Sequence, residues 1–422
     1  MSSPATAAPQ HQAAKLVIPP VWQKAPLILI GLGGIGALIG WFTIPRQFAH
    51  SYLLAFMFFL SICLGGLFLT LIHHLFDASW SVPIRRVNEH LAFLLPVMAA
   101  LFIPIAIMAP KEIYNWLIET VSAPEAALAD HALHAKAPLF TVGGFYAVSV
   151  ILFAIWTWLS YHLRKWSLEQ DKTMDKDDAR RVLCTRKLRV HSAYGIYVFA
   201  FTLTLGAIMW MKALEHQWFS TMYGVYYFAG SVWLTLATLY VIVTVLKKSG
   251  PLSGVVHTRQ FHDIGVLWLA FTVFYAYIHF SQYFLIYNAN IPEETYYYVK
   301  REVGSWWQIC LLLVFGHFVL PFLALLRIDA KLNLTFMIPL AVWAWLMHFC
   351  DMSFNIMPLI HKDGFVLHIL DLCCMAFIGG VLSFVFIKYF NAHAPYPLKD
   401  PRLGEALGVH EAGARPPVAA HQ

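Results

Sequence analysis

The sequence predicts an all-α integral membrane protein with ten transmembrane helices. Of its 422 residues, 59% are hydrophobic and only 12% are charged, whereas soluble chains carry about 25% charged residues. The mean hydropathy is +0.62, and ten apolar runs are each long enough to cross the roughly 30 Å of bilayer hydrocarbon. The net charge of +6 accompanies no basic patch interleaved with aromatic residues, so no nucleic-acid partner is expected.

The apolar runs follow one another through short polar connections, and the ninth is broken at Pro358. In chain order their predicted bounds are 25–45, 50–76, 89–109, 138–163, 190–213, 218–246, 261–287, 306–326, 333–357 and 366–390. Residues 1–24 are rich in Ala, Pro and Gln, contain no cleavable signal peptide, and predict a disordered arm. Residues 391–422 return to Pro, Ala, Gly and polar types and predict a mobile tail beyond the membrane domain of residues 25–390.

Ten spans place both termini on one side of the membrane. On that side lie 22 of the 29 lysines and arginines, including those of the charged loop 164–189. Cytoplasmic loops carry an excess of Lys and Arg, so both termini are predicted to be cytoplasmic.

A weak internal repeat runs through the membrane domain, with halves of about 50–213 and 218–357. The third and seventh spans each open with an Arg followed by an acid and a His, in "RRVNEHLAF" and "RQFHDIGVL". Such a repeat predicts two four-helix bundles, spans two to five and six to nine, with spans one and ten flanking them.

The six cysteines carry no cofactor signature. Five lie in apolar runs, where cysteine usually packs as a small hydrophobe. The sequence has no C-x-x-C pair, no haem-attachment motif and no iron–sulfur spacing. We therefore expect no covalent haem, no cluster and no disulfide in this chain.

Ionisable side chains are costly at a bilayer centre, at roughly 2.5–3.5 kcal/mol each, and here they gather at two depths. One set, near the predicted cytoplasmic ends of the helices, is a candidate inner half-path for protons. Its members are His73, Glu89, His262 and Asp263. The alternative is that they are ordinary interfacial residues paired with Arg85, Arg86 or Arg189.

The second set lies toward the predicted outer face, around "LMHFCDMSFNIMPLIHKDGFVLHILDL" at 346–372. Two His/Asp pairs there have i, i+3 spacing, which predicts one helix face for each pair. Helix rise puts both pairs about 10–15 Å inside the outer boundary, and two residues of span seven have comparable depth. These candidates for an outer half-path are His348, Asp351, His368, Asp371, His279 and Tyr283.

Two depth-matched His/Asp pairs can relay protons, because imidazole titrates near neutrality and a carboxylate can pass the proton on. They can also be inert hydrogen-bonded core groups. Zinc would need three or four converging ligands, which the spacing does not fix, and haem b would need only one His on each of two facing helices. Between the two sets lie His317 and a few Tyr and Ser, a pattern of two half-paths separated by a dry zone.

Particular strings resemble the ActF membrane subunits of bacterial alternative complex III, within the polysulfide-reductase-like (NrfD-like) family. They include "LEHQWFSTMYGVYYFAGS" (214–231), "FHDIGVLWLAFTVFYAYIHFSQYFLIYNANIPEE" (261–294) and "MHFCDMSFNIMP" (347–358). The resemblance covers most of residues 40–390. It implies an accessory, cofactor-free subunit of a quinol:electron-acceptor oxidoreductase in the bacterial inner membrane, with a part in proton conduction.

The implied partners are a sister membrane subunit, an iron–sulfur subunit, multihaem and monohaem cytochrome c subunits, and the quinol pool. Haem c and iron–sulfur clusters are then expected in those partner subunits.

One segment departs from the family pattern "DW-x-MSLEPHWFST". This chain has "MWMKALEHQWFST" at 209–221, so an acid is replaced by Met209, Lys212 appears, and a Pro-His pair becomes His216 and Gln217. Any role of that acid cannot be carried over.

Three alternatives stay open: a subunit that itself forms the quinol site, lined by the aromatic spans six and seven; a stand-alone multi-pass transporter; and a purely structural subunit.

Overall fold

The computed structural model describes residues 20–125, 130–137, 139–174 and 178–408. Within these ranges the regular secondary structure is helical, without a β-strand, and ten helices are long and apolar enough to cross a membrane. The prediction of an all-α protein with ten spans is confirmed. Most of the predicted arm, and the predicted tail after residue 408, lie outside the described residues.

The spanning helices are labelled α1 to α10 in chain order. They are Gln23–Thr43, Pro45–Leu75, Val82–Ile113, Val142–Asp171, Ala179–Trp210, Tyr223–Lys248, Thr258–Ala289, Trp306–Leu326, Leu334–Leu359 and Ile369–Asn391. Shorter helices lie in the connections at Asn115–Ser122, His131–Ala135, Lys212–Glu215, Pro292–Val299, Ile328–Leu332 and Leu403–Ala406. Helices α3 and α5 begin earlier than predicted, because charged residues that were assigned to loops continue the helix.

Helices α2 and α6 form the centre of the molecule, with 83% of the most apolar window of each buried. They approach closely at Gly65, where a Cβ atom would lie 2.1 Å from the hydroxyl oxygen of Thr235. That hydroxyl donates across the contact to the carbonyl of Ile62 at 3.2 Å. Small and hydroxyl-bearing residues allow helices to pack this closely where lipid offers no hydrophobic driving force.

The other helices surround this pair. Helix α2 also contacts α3, α5, α9 and α10, whereas α6 also contacts α5, α7 and α9. Helix α4 packs on α3 and α5, and α8 packs on α7 and α9. The division into two four-helix bundles stays a prediction.

Helix α1 lies along α10 through a face rich in glycine. A Cβ atom at Gly33 would lie 2.5 Å from the backbone nitrogen of Phe377 and 2.6 Å from the carbonyl oxygen of Cys373. At Gly36 it would lie 2.4 Å from the sulfur of Cys373. The two backbones are therefore in direct contact, as in small-residue packing of membrane helices generally.

Helix α8 contains a π-helical turn at Leu313–Val319. The N–H of Leu320 donates to the carbonyl of Phe315, five residues earlier, and the carbonyl of Gly316 accepts instead from the indole N–H of Trp343 at 2.8 Å. Pro321 follows directly, and its ring has no N–H to restore the regular pattern. The turn thus joins α8 to α9 and sets the orientation of the residues around it.

The chain after α10 is packed against the protein as far as it is described. Asp400 is 5% exposed and forms an ion pair with Arg85 of α3. The backbone N–H of Leu398 donates to Asp171 at 2.9 Å. These contacts hold the segment around Leu398 and Asp400 against α3 and α4, while the mobility of residues 391–422 stays a prediction.

The contact between α1 and α10 predicts different effects for two glycines of one helix. The substitution Gly33→Ala places a methyl group against the backbone of α10, and overpacking of this kind costs about 1–3 kcal/mol. A lower thermal midpoint of the detergent-solubilised protein is expected. The matched control is Gly31→Ala, because a Cβ atom at Gly31 meets nothing within 4 Å. Equal midpoints for the two variants would contradict the contact.

Candidate functional site

Three ionisable side chains of α8 and α9 meet inside the membrane domain. His317, His348 and Asp351 are each 0% exposed, and a potential ligand atom from each lies within 4.8 Å of the others. Asp351 precedes the end of α9 at Leu359 by about 12 Å of helix rise. We call these three residues the central cluster.

The two imidazoles are held by neighbouring helices. The ring of His317 lies between Trp233 of α6 and Tyr275 of α7, with ring centroids 3.8 and 3.9 Å away and nearly parallel planes. The Nε2 atom of His348 lies 3.1 Å from the hydroxyl of Ser61 on α2. The cluster therefore depends on the packing of α2, α6 and α7 as well as on the π-helical turn that carries His317.

Four polar atoms of the central cluster have no hydrogen-bond partner within the described residues. They are both ring nitrogens of His317, Nδ1 of His348 and Oδ2 of Asp351. Buried polar groups in proteins are overwhelmingly paired, because leaving one unpaired costs about 1–3 kcal/mol. Four such atoms in one place mark a site suited to a proton, water or a cation.

A chain of hydrogen bonds leads away from Asp351 toward one end of the membrane domain. Tyr226 donates its hydroxyl proton to Oδ1 of Asp351, and the amide of Asn355 donates to the Tyr226 hydroxyl at 2.8 Å. The hydroxyls of Tyr223 and Tyr297 then donate to the Asn355 oxygen at 3.0 and 2.9 Å. Asn355 thereby connects the buried acid to tyrosines nearer the end of the helices.

A buried arginine closes this end. Arg301 donates to Glu215 at 2.9 Å and to the carbonyl of Phe354 at 2.9 Å, and its guanidinium lies 3.5 Å from the centroid of Tyr297. Tyr297 is also stacked on Trp218, with centroids 3.8 Å apart. Burial raises the pKa of Tyr297 to about 12, so its hydroxyl remains a hydrogen-bond donor at neutral pH.

Two candidates on α7 differ in their relation to the central cluster. The Nδ1 atom of His279 lies 3.5 Å from the hydroxyl of Tyr275, which places His279 at the edge of the cluster. Tyr283 is 38% exposed and packs edge-on against Tyr298, with centroids 5.0 Å apart. Tyr283 therefore does not join the site.

The second predicted pair does not lie on one helix face, and that expectation is wrong. Helix α10 begins at Ile369, so His368 is its N-cap and Asp371 lies in the first turn. Asp371 accepts from the backbone N–H of His368 at 2.9 Å, and Nδ1 of His368 accepts from Leu370 at 3.2 Å. Such reciprocal bonds form a capping box. The remaining oxygen of Asp371 accepts from Ser51 at 2.5 Å, so its partners are not those of Asp351.

At the opposite end, Glu89 is part of a buried ion-pair network. Its carboxylate accepts from Arg85 at 2.9 Å and from Arg86 at 3.0 Å. Arg86 also pairs with Asp171, and Arg85 with Asp400. With the further pairs of Asp77 to Arg189 and of Arg402 to Asp77 and Asp400, four arginines face four acids.

His73 belongs to the same network, with Nε2 3.2 Å from Arg85 and Nδ1 bonded to Ser81. The alternative of polar residues paired with arginines therefore describes His73 and Glu89 better than a proton path does.

His262 and Asp263 lie 3.2 Å apart, and their side chains are 36% and 27% exposed. Their one further ion-pair contact among the described residues is Arg259, at 3.8 Å from Asp263.

One cavity lies away from these sites, between α3 and α4. It has a volume of about 530 Å³ and an apolar lining that includes Phe93, Trp158, Tyr161 and His162. The alternative of a quinol site in this chain places the pocket at the sixth and seventh spans, and this cavity does not lie there.

Fold and site together define a polytopic α-helical membrane protein with a buried cluster of protonatable groups. No protein-family model matches the chain, and no curated protein matches it either.

The ion-pair network predicts that Asp400→Asn destabilises the protein. Removing one partner of a buried ion pair costs about 3–5 kcal/mol, so the thermal midpoint at neutral pH should fall. The matched control is Asp329→Asn, because the Arg327–Asp329 pair is 79% and 85% exposed and contributes little.

The same network predicts how this effect depends on pH. Burial opposes ionisation of Asp400, but Arg85 and Arg402 outweigh it and hold its pKa well below the ordinary range. The stabilisation is therefore fully present above the unfolded pKa of about 3.9 and is lost as the pH falls toward the folded pKa. The midpoint difference between wild type and Asp400→Asn should narrow from pH 7 to pH 3. A difference independent of pH would rule out an ionised Asp400 as its source.

Proposed function

We propose that this chain is an accessory integral-membrane subunit of a quinol-oxidising respiratory complex in a bacterial inner membrane, and that its central cluster takes up and passes protons. The observation that carries the proton role is the set of four buried, unpartnered polar atoms on His317, His348 and Asp351. In the network around Arg85, by contrast, both oxygens of Glu89 accept from arginines, and Nε of Arg86 is its one buried arginine atom without a partner among the described residues.

The chemistry of the cluster suits proton storage. Two imidazoles and one carboxyl group within 4.8 Å can hold protons in several arrangements that differ in net charge. Since a net charge is costly in a low-dielectric interior, arrival of a charge nearby would favour uptake or release of a proton. Such coupling is what a subunit adjacent to an electron-transfer chain would provide.

The hydrogen bonds from Asp351 supply one route to the surface. Tyr226 and Asn355 connect the acid to the hydroxyl of Tyr297. Arg301 donates to the backbone carbonyl of Tyr297 and to Glu215, and Lys300 beside Glu215 has a side chain that is 56% exposed. On the other side the cluster is flanked by the stacked rings of Trp233 and Tyr275. We propose a half-path open to one face.

The excess of Lys and Arg on the side of the termini supports cytoplasmic termini and thus an outward-facing half-path. The resemblance to ActF subunits supports the assignment of this chain to a quinol-oxidising respiratory complex. It supports the expected partners as well: a sister membrane subunit, an iron–sulfur subunit, and cytochrome c subunits that carry the haem c.

Asp351→Asn should lower the number of protons translocated per electron, because it removes the titratable group at the start of the route. The measurement is proton uptake or release by the intact complex in vesicles during quinol oxidation. Asp363→Asn, in the exposed loop before α10, is the control. Unchanged stoichiometry in a well-assembled Asp351→Asn complex would contradict the proton role.

The assignment to a respiratory complex can be tested separately from the proton role. Native purification of the full chain, followed by haem staining and subunit identification, should recover multihaem cytochrome c and iron–sulfur subunits. Isolation without any haem-bearing partner would overturn the respiratory assignment and favour a stand-alone transporter.

The geometry favours one second candidate, binding of a divalent transition metal. Two imidazoles and a carboxylate are a ligand set found in zinc sites, and their approach within 4.8 Å is close enough for small movements to complete coordination. Elemental analysis of the purified protein should then find about one equivalent of zinc, lost in a His317→Ala, His348→Ala double variant. Metal-free protein that retains proton translocation would exclude this candidate.

A further inference from the structure

Two lysines meet in the connections at the outer ends of α4 and α5, a site separate from the central cluster. Lys136 precedes α4, and Lys212 follows α5 in the short helix Lys212–Glu215. The Nζ atoms of Lys136 and Lys212 lie 4.2 and 5.4 Å from the ring centroid of Phe219, so both ammonium groups lie beside one aromatic ring. Lys212 is only 6% exposed.

The acids nearby are already engaged. Both oxygens of Asp130 are used: Oδ2 bonds to His216 at 2.8 Å, and Oδ1 accepts from the backbone of Ala132 and Leu133. Glu215 pairs with Arg301 and Lys300. Within the described residues, neither Lys136 nor Lys212 has a carboxylate at ion-pair distance.

The paired amines are thus electrostatically unfavourable when no counter-ion is present. Lys136 donates to the carbonyl of His216, which is a neutral acceptor. Burial and the charge of Lys136 lower the pKa of Lys212 to about 7, and burial also lowers the pKa of Lys136. Like charges held together out of water favour either loss of a proton or arrival of an anion.

We propose that Lys136 and Lys212 bind a phosphate-type oxyanion, supplied by an anionic lipid headgroup or by free phosphate. Two ammonium groups can each donate to one phosphate, and such charge-assisted bonds are the stronger hydrogen bonds in proteins. The adjacent Phe219 is 48% exposed, so its apolar ring can contact the apolar part of a lipid, which free phosphate lacks. This feature favours the lipid source.

The lysine site shares no residue with the central cluster, so the proposed anion binding does not depend on the proposed proton function.

The test is a titration of the full chain in detergent with short-chain phosphatidylglycerol, phosphatidylcholine and inorganic phosphate, with the thermal midpoint as readout. Phosphatidylglycerol should raise the midpoint and phosphatidylcholine should not. An equal, saturable rise with inorganic phosphate would assign the free anion. Lys136→Gln and Lys212→Gln should each weaken binding by roughly tenfold or more, whereas Lys111→Gln, at an exposed lysine on the same predicted side, should not.

Two further measurements separate binding from folding. Lys212→Met removes a buried charge at similar volume, so without anion this variant should be at least as stable as wild type while losing the lipid response. Phosphatidylglycerol keeps its charge between pH 6 and pH 8.5, so its affinity should fall over this range as Lys212 loses its proton beside Lys136, Asp130 and His216. No anion-dependent shift, or equal loss in Lys111→Gln, would overturn the proposal.

Discussion

Charges that leave water inside a membrane protein must neutralise one another, and the rest of this structure depends on how Arg85 and Arg86 meet that requirement. Their guanidinium groups are 0% exposed and bind acids from three separate segments: Glu89 of α3 itself, Asp171 at the end of α4, and Asp400 beyond α10. Because a buried charge without its partner is strongly destabilising, these segments are held in fixed relation. The network therefore holds α3, the end of α4 and the segment after α10 together at one end of the helix assembly.

The central cluster differs from the arginine network because protein atoms do not satisfy all of its buried polar groups. The cluster is as fully buried as the two arginines, with His317, His348 and Asp351 each 0% exposed. Four of its polar atoms nevertheless lack partners in the described part of the chain. Trp233 and Tyr275 fix the ring of His317 by stacking. Each acid of the arginine network is paired with at least one arginine, whereas Oδ2 of Asp351 and three imidazole nitrogens of the central cluster have no partner among the described residues. This contrast separates a candidate for function from a structural network.

Features that depend on local sequence could be predicted, whereas contacts between residues far apart in the chain could not. Hydropathy identified the ten spans, and i, i+3 spacing correctly put His348 and Asp351 on one face of α9. The same spacing failed for His368 and Asp371, because the chain before Ile369 is not helical and the acid caps the helix. His317 was not selected, although Pro321 four residues later signals an irregular turn. The pairing of Arg85 with Asp400 spans 315 residues, so no local pattern could reveal it.

The contact of α1 with α10 has a consequence for how the protein is made. Helix α1 leaves the ribosome eight spans before α10, and only 22% of its apolar window is buried, mostly against that later helix. Its glycine face must therefore rest against lipid, or against a holding factor in the membrane, throughout synthesis of the eight spans between. Insertion of α10 is the event that covers this glycine face, so correct packing of α1 can be checked in the membrane only after α10 has been made.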